Sequence, residues 1–166
     1  VHRRENWGKN LLSIIKGFKK IIEENPDIVL IIPMHRNPLV RKPIIQGLSK
    51  YPRVKLIEPL NYADLIETLK RCYLVLTDSG GIQEEAPSLG KPVLVLRETT
   101  ERQEAVIAGT AKLIGTDSEK ILYEVNQLLN NKISYKKMSQ SNNPFGDGKA
   151  SEVILKNCED FLKNKT

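Results

Sequence analysis

Two adjacent glycines and a glutamate four residues later have the residue types and spacing that best suit the binding of an anionic ligand. The stretch Asp78-Ser79-Gly80-Gly81 follows a short apolar run, and Glu85 lies one helical turn beyond Gly81. Glycine lets a backbone approach a bulky anion closely, and the first N–H groups of a helix lack partners and attract negative charge. Ser79 adds a hydroxyl donor. The element is therefore predicted to hold a diphosphate without a basic side chain.

Glu85 extends this prediction to a second part of a ligand. It lies on the same helical face as Gly81, about 6 Å along the axis, and can accept two hydrogen bonds from the hydroxyls of a ribose. A Ser-Gly-Gly sequence before a helix can also be only a tight turn, and the spacing of Glu85 favours the ligand site. Glu84 points about 100° away, and we expect it to face solvent or the helix dipole.

Three further side chains could reach the same site. His2 would lie at the end of a missing strand and could do acid–base work, although a disordered terminus is an equal alternative. His35 follows an apolar run and is favoured as a polar loop residue. Arg102 follows a later strand, and an exposed arginine in a first helical turn is its alternative interpretation.

Apolar runs alternate with helical patterns along the chain, which predicts a Rossmann-like, doubly wound parallel sheet of the α/β class. No strand precedes the first helix, so a strand or an entire upstream half is expected to be missing. The predicted strands are residues 28–32, 54–57, 73–77, 93–96 and 111–114. The predicted helices are residues 11–22, 38–50, 62–71, 81–89, 101–108 and 118–129, with a short one near Tyr135 and a last one ending near Leu162.

The length and composition argue against a membrane-spanning, metal-binding, disulfide-rich or nucleic-acid-binding protein. The 166 residues suit one domain, and no apolar run approaches the roughly 20 residues of a membrane span. Two distant cysteines and two histidines argue against a metal site or a disulfide framework, so we expect no metal and a cytoplasmic protein without a signal peptide. The net charge of +6 is spread among glutamates on helices, which indicates solvated surfaces rather than a nucleic-acid site.

Four motifs together resemble the non-hydrolysing UDP-N-acetylglucosamine 2-epimerases. They are HRREN at residues 2–6, PMHRNP at 33–38, TDSGGIQEEAPSLGKPVLVLRETTER at 77–102 and NPFGDGKAS at 143–151. The resemblance implies a glycosyltransferase-B-like fold of two Rossmann-like domains with the substrate between them. Residues 1–166 would be its C-terminal, UDP-binding domain. The N-terminal half, with the carboxylates that act at C2, would be absent from this chain.

The resemblance also implies an activity, which is interconversion of UDP-GlcNAc and UDP-ManNAc by anti elimination and re-addition of UDP. It implies no metal or redox cofactor and a homodimeric intact protein. The residues carried over by motif are Ser79, Gly80 and Gly81 for the diphosphate, Glu85 for the ribose, Arg102 for UDP, His2 for the departing UDP, and His35 for a possible regulatory UDP-GlcNAc site.

The chain departs from the family pattern near the base. Leu65 stands where an aromatic residue near the uracil is usual, so the backbone near Leu60 is the remaining candidate for contact with the base. At a different position, Gln103 replaces a proline that is usual in the family. Two other functions stay open, namely the nucleotide-binding half of a glycosyltransferase and a non-catalytic nucleotide-sugar sensor. We expect the chain alone to bind UDP without turnover.

Overall fold

A computed structural model describes residues 1–146 and 148–163. The Gly, Pro and Asn residues of the stretch 142–148 predict a loop, and Asp147 within it lies outside the described residues. A short 3-10 turn, Arg4–Asn6, precedes the first helix. The helices are α1 (Lys9–Glu24), α2 (Pro38–Leu48), α3 (Tyr62–Arg71), α4 (Gly80–Ser88), α5 (Gln103–Ile107), α6 (Ser118–Asn130), α7 (Lys132–Ser139) and α8 (Ala150–Lys163). The strands are β1 (Leu30–Pro33), β2 (Val54–Ile57), β3 (Val75–Thr77), β4 (Val93–Val95) and β5 (Ala111–Leu113).

Side-chain caps explain where several helices begin. The Asn37 side chain accepts the N–H of Leu39 at 3.0 Å and is followed by a proline at the first position of α2. The side chain of Asp117 accepts the N–H groups of Glu119 and Lys120 at 3.0 and 2.9 Å. Asp117 therefore caps the start of α6, the helix predicted at residues 118–129.

The strands are parallel, and the predicted α/β class is confirmed. β1 pairs with β2, with Leu30 opposite Val54. β4 pairs with β3 on one side and β5 on the other, with Val93 opposite Val75 and Ala111. Among the described residues the strands form two separate segments, one of order β1-β2 and one of order β3-β4-β5.

The strand predicted at residues 54–57 is confirmed, whereas several other strands and some helices are shorter than predicted. The residue 73–77 run is a strand only from Val75, because pairing with β4 starts there, while the Tyr73 ring stacks on Tyr135 at 4.1 Å. α5 begins at Gln103 rather than near residue 101, since Arg102 has φ −105° and ψ 57°, outside the helical region.

The main core lies between α1 and the sheet, where α1 also packs on α6. A side chain at Gly17 would place its Cβ 3.1 Å from Cγ2 of Ile121, so the absence of a side chain lets the two helices approach. No helix within the described ranges 1–146 and 148–163 is both long and apolar enough to cross a membrane. The buried members of this core are Leu11, Ile14, Ile15, Phe18, Ile21, Ile22, Ile32, Met34, Val40, Ile44, Leu48, Val54, Leu94, Leu96, Ile114, Ile121, Val125 and Leu128.

Candidate functional site

The start of α4 is the centre of the candidate site. Ser79 is the extended N-cap residue, with φ −81° and ψ 132°, and its side chain makes no capping hydrogen bond. Its N–H instead donates to Oγ1 of Thr77 at 3.0 Å. The N–H groups of Gly80 and Gly81 begin the helix and have no acceptor within it. The turn therefore offers backbone donors and a hydroxyl to an anion, as predicted from the sequence.

The two glycines have different surroundings. A Cβ on Gly80 would lie 2.6 Å from Oε1 of Glu101, so the chain itself occupies that side. A Cβ on Gly81 would have no atom within 4 Å, and Gly81 is exposed. The open side of the turn is thus at Gly81, and a ligand would approach there.

A Gly81→Ala substitution is expected to weaken ligand binding without lowering the stability of the fold. The added methyl group meets nothing in the protein, so the thermal midpoint should stay the same or rise slightly. An anion held at the open side of the turn would be crowded by this methyl group, and a misfit of about 1.4 kcal/mol would lower the affinity for the expected ligand, UDP, about tenfold. Calorimetric titration with UDP beside a melting curve measures both. Unchanged affinity would place the anion elsewhere.

Glu85 lies partly buried on the same helix and is available to a ligand. Its carboxylate forms no hydrogen bond or ion pair with any residue of the described part of the chain. Burial, and then the negative charge of Glu84, raises the pKa of Glu85 above its usual range. Hydrogen bonds from ribose hydroxyls would stabilise the ionised form and offset this cost.

Asp78 ties the start of the chain to the end of β3. This fully buried carboxylate accepts the N–H groups of His2 and Arg3, each at 2.9 Å, and the amide of Asn6 at 3.0 Å. Burial acts to raise the pKa of Asp78, but in the 166-residue chain the amino group of Val1 and these donors outweigh this effect, so the pKa lies below its usual range. Asp78 therefore positions His2 beside the α4 start, a role that was not predicted.

His2 lies between two elements of the site. Its Nδ1 is 3.2 Å from Oδ1 of Asp78, and its ring stacks on His35 with centroids 5.7 Å apart. Burial lowers the pKa of His2, and the charge of Asp78 offsets this only in part. Nδ1 of His35 accepts the N–H of Asn37 at 3.1 Å. The structure thus brings both predicted histidines together.

Charged residues of the first motif pair with the segment that follows β4. Nη2 of Arg3 donates to Glu101 at 3.0 Å, and Glu101 accepts Nη1 of Arg97 at 2.6 Å. Nε of Arg97 also donates to Glu5 at 2.6 Å. These pairs link residues 3–5 of the HRREN motif to the segment 97–101 after β4.

Arg102 is held at the site by a neighbour that we expected to face solvent or the helix dipole. Nε of Arg102 donates to the carboxylate of Glu84, so that expectation for Glu84 was incomplete. The buried Gln83 adds a further link, since its amide donates to the Ser79 carbonyl at 3.0 Å and its oxygen accepts Oγ1 of Thr100 at 2.6 Å. The start of α4 and the segment before α5 are therefore braced against each other.

Leu60 and Leu65, the two residues predicted near the base, belong to other parts of the fold than the start of α4. Leu60 lies partly exposed between β2 and α3. Leu65 packs against the smaller apolar cluster around Leu69 and Ala86, and it lines the same groove as Ser79. Within residues 1–146 and 148–163, no three His, Cys, Asp or Glu side chains are grouped so that they could hold a metal ion.

The chain is similar to a known family over almost its whole length. The family model described as UDP-N-acetylglucosamine 2-epimerase matches residues 1–159. The Campylobacter jejuni UDP-N-acetylglucosamine 2-epimerase is 49% identical over 154 residues, which are 93% of this chain and 40% of the relative. The Escherichia coli K12 enzyme of that name is 48% identical over 163 residues, 98% of this chain and 42% of the relative. The chain thus spans about two-fifths of these curated relatives.

Solved structures give the same result. An S. aureus structure described as MnaA with UDP superimposes with a TM-score of 0.92 at 47% identity, covering 98% of this chain and 44% of that one. The Neisseria meningitidis UDP-GlcNAc 2-epimerase bound to UDP-GlcNAc gives a TM-score of 0.91 at 46% identity, covering 96% and 43%. The shares are consistent with a match to one domain of a larger protein.

Proposed function

Because this chain belongs to the UDP-N-acetylglucosamine 2-epimerase family, we propose that residues 1–166 are its C-terminal, UDP-binding domain. The observation that carries the proposal is the start of α4, where free N–H groups and an uncommitted hydroxyl surround the open side of Gly81. The relatives solved with UDP or UDP-GlcNAc support the choice of ligand.

Each side chain of the site has a proposed part in binding UDP. Ser79, Gly80 and Gly81 hold the diphosphate, and the unpaired carboxylate of Glu85 accepts the ribose hydroxyls. Arg102, already oriented by Glu84, adds a positive charge to the nucleotide. Leu65 and the backbone near Leu60 are proposed to contact the uracil, and His35 is a proposed contact of a regulatory UDP-GlcNAc site.

His2 is the proposed catalytic residue of this domain. Its Nδ1 lies by Asp78, which leaves Nε2 as the nitrogen available to a ligand. The pKa of His2 is lowered by burial, so the free imidazole is largely neutral at pH 7. A diphosphate beside it would raise that pKa and favour the imidazolium, which can stabilise the departing UDP by donating a hydrogen bond.

The intact protein is proposed to interconvert UDP-GlcNAc and UDP-ManNAc. UDP leaves by elimination to a 2-acetamidoglucal and adds back after C2 is reprotonated on the opposite face. The carboxylates that exchange the C2 proton would belong to an N-terminal domain. We propose that the intact protein is a cytoplasmic homodimer that uses no metal or redox cofactor.

Product analysis tests this proposal. The 166-residue chain incubated with UDP-GlcNAc in D2O should leave it unchanged by proton NMR, whereas the full-length protein should form UDP-ManNAc with deuterium at C2. Turnover by the 166-residue chain would contradict the proposal that an N-terminal domain supplies the carboxylates that exchange the C2 proton. UDP release by the full-length protein only with an acceptor sugar would instead indicate a glycosyltransferase, and binding without any reaction would indicate a sensor.

A further inference from the structure

A buried glutamine links two parts of the proposed diphosphate site. Gln83 of α4 is fully buried, its amide nitrogen donates to the Ser79 carbonyl at 3.0 Å, and its amide oxygen accepts Oγ1 of Thr100 at 2.6 Å. The same Thr100 oxygen accepts the N–H of Arg102 at 3.1 Å. These four groups, from the Ser79 carbonyl to the Arg102 N–H, are called the Gln83 bridge below.

The Gln83 bridge has a single hydrogen-bonded arrangement. The Ser79 carbonyl can only accept, so the NH2 group of Gln83 faces it and the amide oxygen faces Thr100. The Thr100 hydroxyl then donates its one hydrogen to that oxygen and keeps its lone pairs for the N–H of Arg102. Reversing the amide would place two acceptors against each other in a buried site, which is costly.

One end of the Gln83 bridge orients a donor of the anion site. A trans peptide is planar, so the Ser79 carbonyl and the Gly80 N–H point in opposite directions. The side chain of Gln83, together with its own backbone N–H at 3.4 Å, holds this carbonyl back along α4. The Gly80 N–H therefore points out of the start of the helix, where an anion would meet it.

The other end of the Gln83 bridge fixes Arg102. This residue has φ −105° and ψ 57°, so no helical hydrogen bond holds its backbone, and the Thr100 hydroxyl accepts its N–H instead. Its guanidinium donates to Glu84, the residue after Gln83. α4 thus holds Arg102 at two points, the backbone through Gln83 and the charged group through Glu84.

We propose that Gln83 is a positioning residue of the diphosphate site, which orients the Gly80 N–H and sets the place of Arg102 relative to it. Gln83 is fully buried and acts without touching the ligand. A donor and a cation that bind the same diphosphate must keep a fixed separation, and the Gln83 bridge supplies it. The inference rests on the proposed function, because the ligand whose contacts Gln83 positions is UDP.

A Gln83→Glu variant tests the direction of the hydrogen bonds. A protonated carboxyl offers one donor and one acceptor, as the amide does, whereas a carboxylate only accepts and would oppose the Ser79 carbonyl. Burial raises the pKa of such a carboxyl toward neutral pH or above. The ratio of UDP affinities, reference chain over variant, should be near one at about pH 5.5 and rise to about ten at about pH 9.

Taking the ratio at each pH cancels the titration of UDP and of groups that both chains share. Gln127→Glu, on the half-buried part of α6, makes the same change of residue type away from the site. Its ratio should stay near one at both pH values. Calorimetric titration well below the thermal midpoint of each variant gives the affinities.

A Gln83→Met variant removes the donor and the acceptor together at similar side-chain size. It should lower the affinity for UDP about tenfold and leave the weak affinity for uridine, which has no phosphate, unchanged. Thr100→Val should have a similar effect, and the double variant should lose no more than either single one, because each change opens the same bridge. A loss of stability alone would not distinguish UDP from uridine.

Three outcomes would overturn the part assigned to Gln83. They are a Gln83→Met chain that binds UDP as the reference chain does, a Gln83→Glu ratio that does not change with pH, and equal losses for UDP and uridine. Failure of the reference chain itself to bind UDP would instead contradict the proposed function, and this inference with it. The reference measurement therefore separates the two failures.

Discussion

UDP affinity is expected to fall about 100-fold or more when Ser79→Ala and Glu85→Ala are combined. The first change removes a hydroxyl whose hydrogen bond contributes about 1 kcal/mol, and the second removes a charged acceptor that contributes about 1.5–3 kcal/mol. Each 1.4 kcal/mol corresponds to about a tenfold change in affinity. Isothermal titration with UDP measures the loss.

The fold should survive this double change, because neither side chain bonds to the described part of the protein. A matched control, Ser134→Ala with Glu152→Ala, alters the same residue types on α7 and α8. The control should bind UDP as the unaltered chain does. Equal affinity in the double variant and the control would remove Ser79 and Glu85 from the site.

Asp78→Ala is expected to lower the free energy of unfolding by about 3 kcal/mol or more. The substitution removes the acceptor of the N–H groups of His2 and Arg3 and of one N–H of the Asn6 amide, which keeps its bond to the Leu96 carbonyl. Each buried donor that loses its partner costs about 1–3 kcal/mol. Urea unfolding followed by circular dichroism measures the change.

Asp27→Ala is the matched control for this loss, since Asp27 is exposed and forms no bond with other described residues. It should change the free energy of unfolding by no more than about 0.5 kcal/mol. A similarly small effect of Asp78→Ala would mean that the start of the chain is not anchored at β3. His2 would then lack the support on which its proposed role depends.

The α4 turn could be predicted from the spacing of neighbouring residues. A strand end, two glycines and a glutamate one turn later are close in sequence, so helical geometry alone relates them. The turn at Ser79 and the helix that carries Glu85 were therefore predicted from the residues. The position of His2 beside them depended on motif resemblance, because 76 residues separate it from Asp78.

The supports of the site could not be read from the sequence. Glu84 looked like a solvent-facing residue, and its partner Arg102 lies 18 residues away on another element. Gln83 is fully buried because it links the Ser79 carbonyl to Thr100, across 17 residues. Side-chain pairs across such separations are set by tertiary packing, which the periodicity of helices and strands does not predict.

The strand order of the sheet was not predicted. The apolar runs located the strands but not their neighbours, and the structure pairs β1 with β2 and places β4 between β3 and β5. The strand order of a parallel sheet follows from its crossovers, which cannot be derived from the apolar runs themselves.

A nitrogen-15 NMR titration of this chain with UDP tests whether the start of α4 holds the diphosphate. We expect saturable shifts that are largest at the amides of Gly80, Gly81 and Ile82, with smaller ones at Arg102 and His2. Uridine without phosphates should leave the glycine amides nearly unmoved. No saturable shift at Gly80 and Gly81 with millimolar UDP, or shifts confined to other parts of the chain, would show that the start of α4 does not hold the diphosphate.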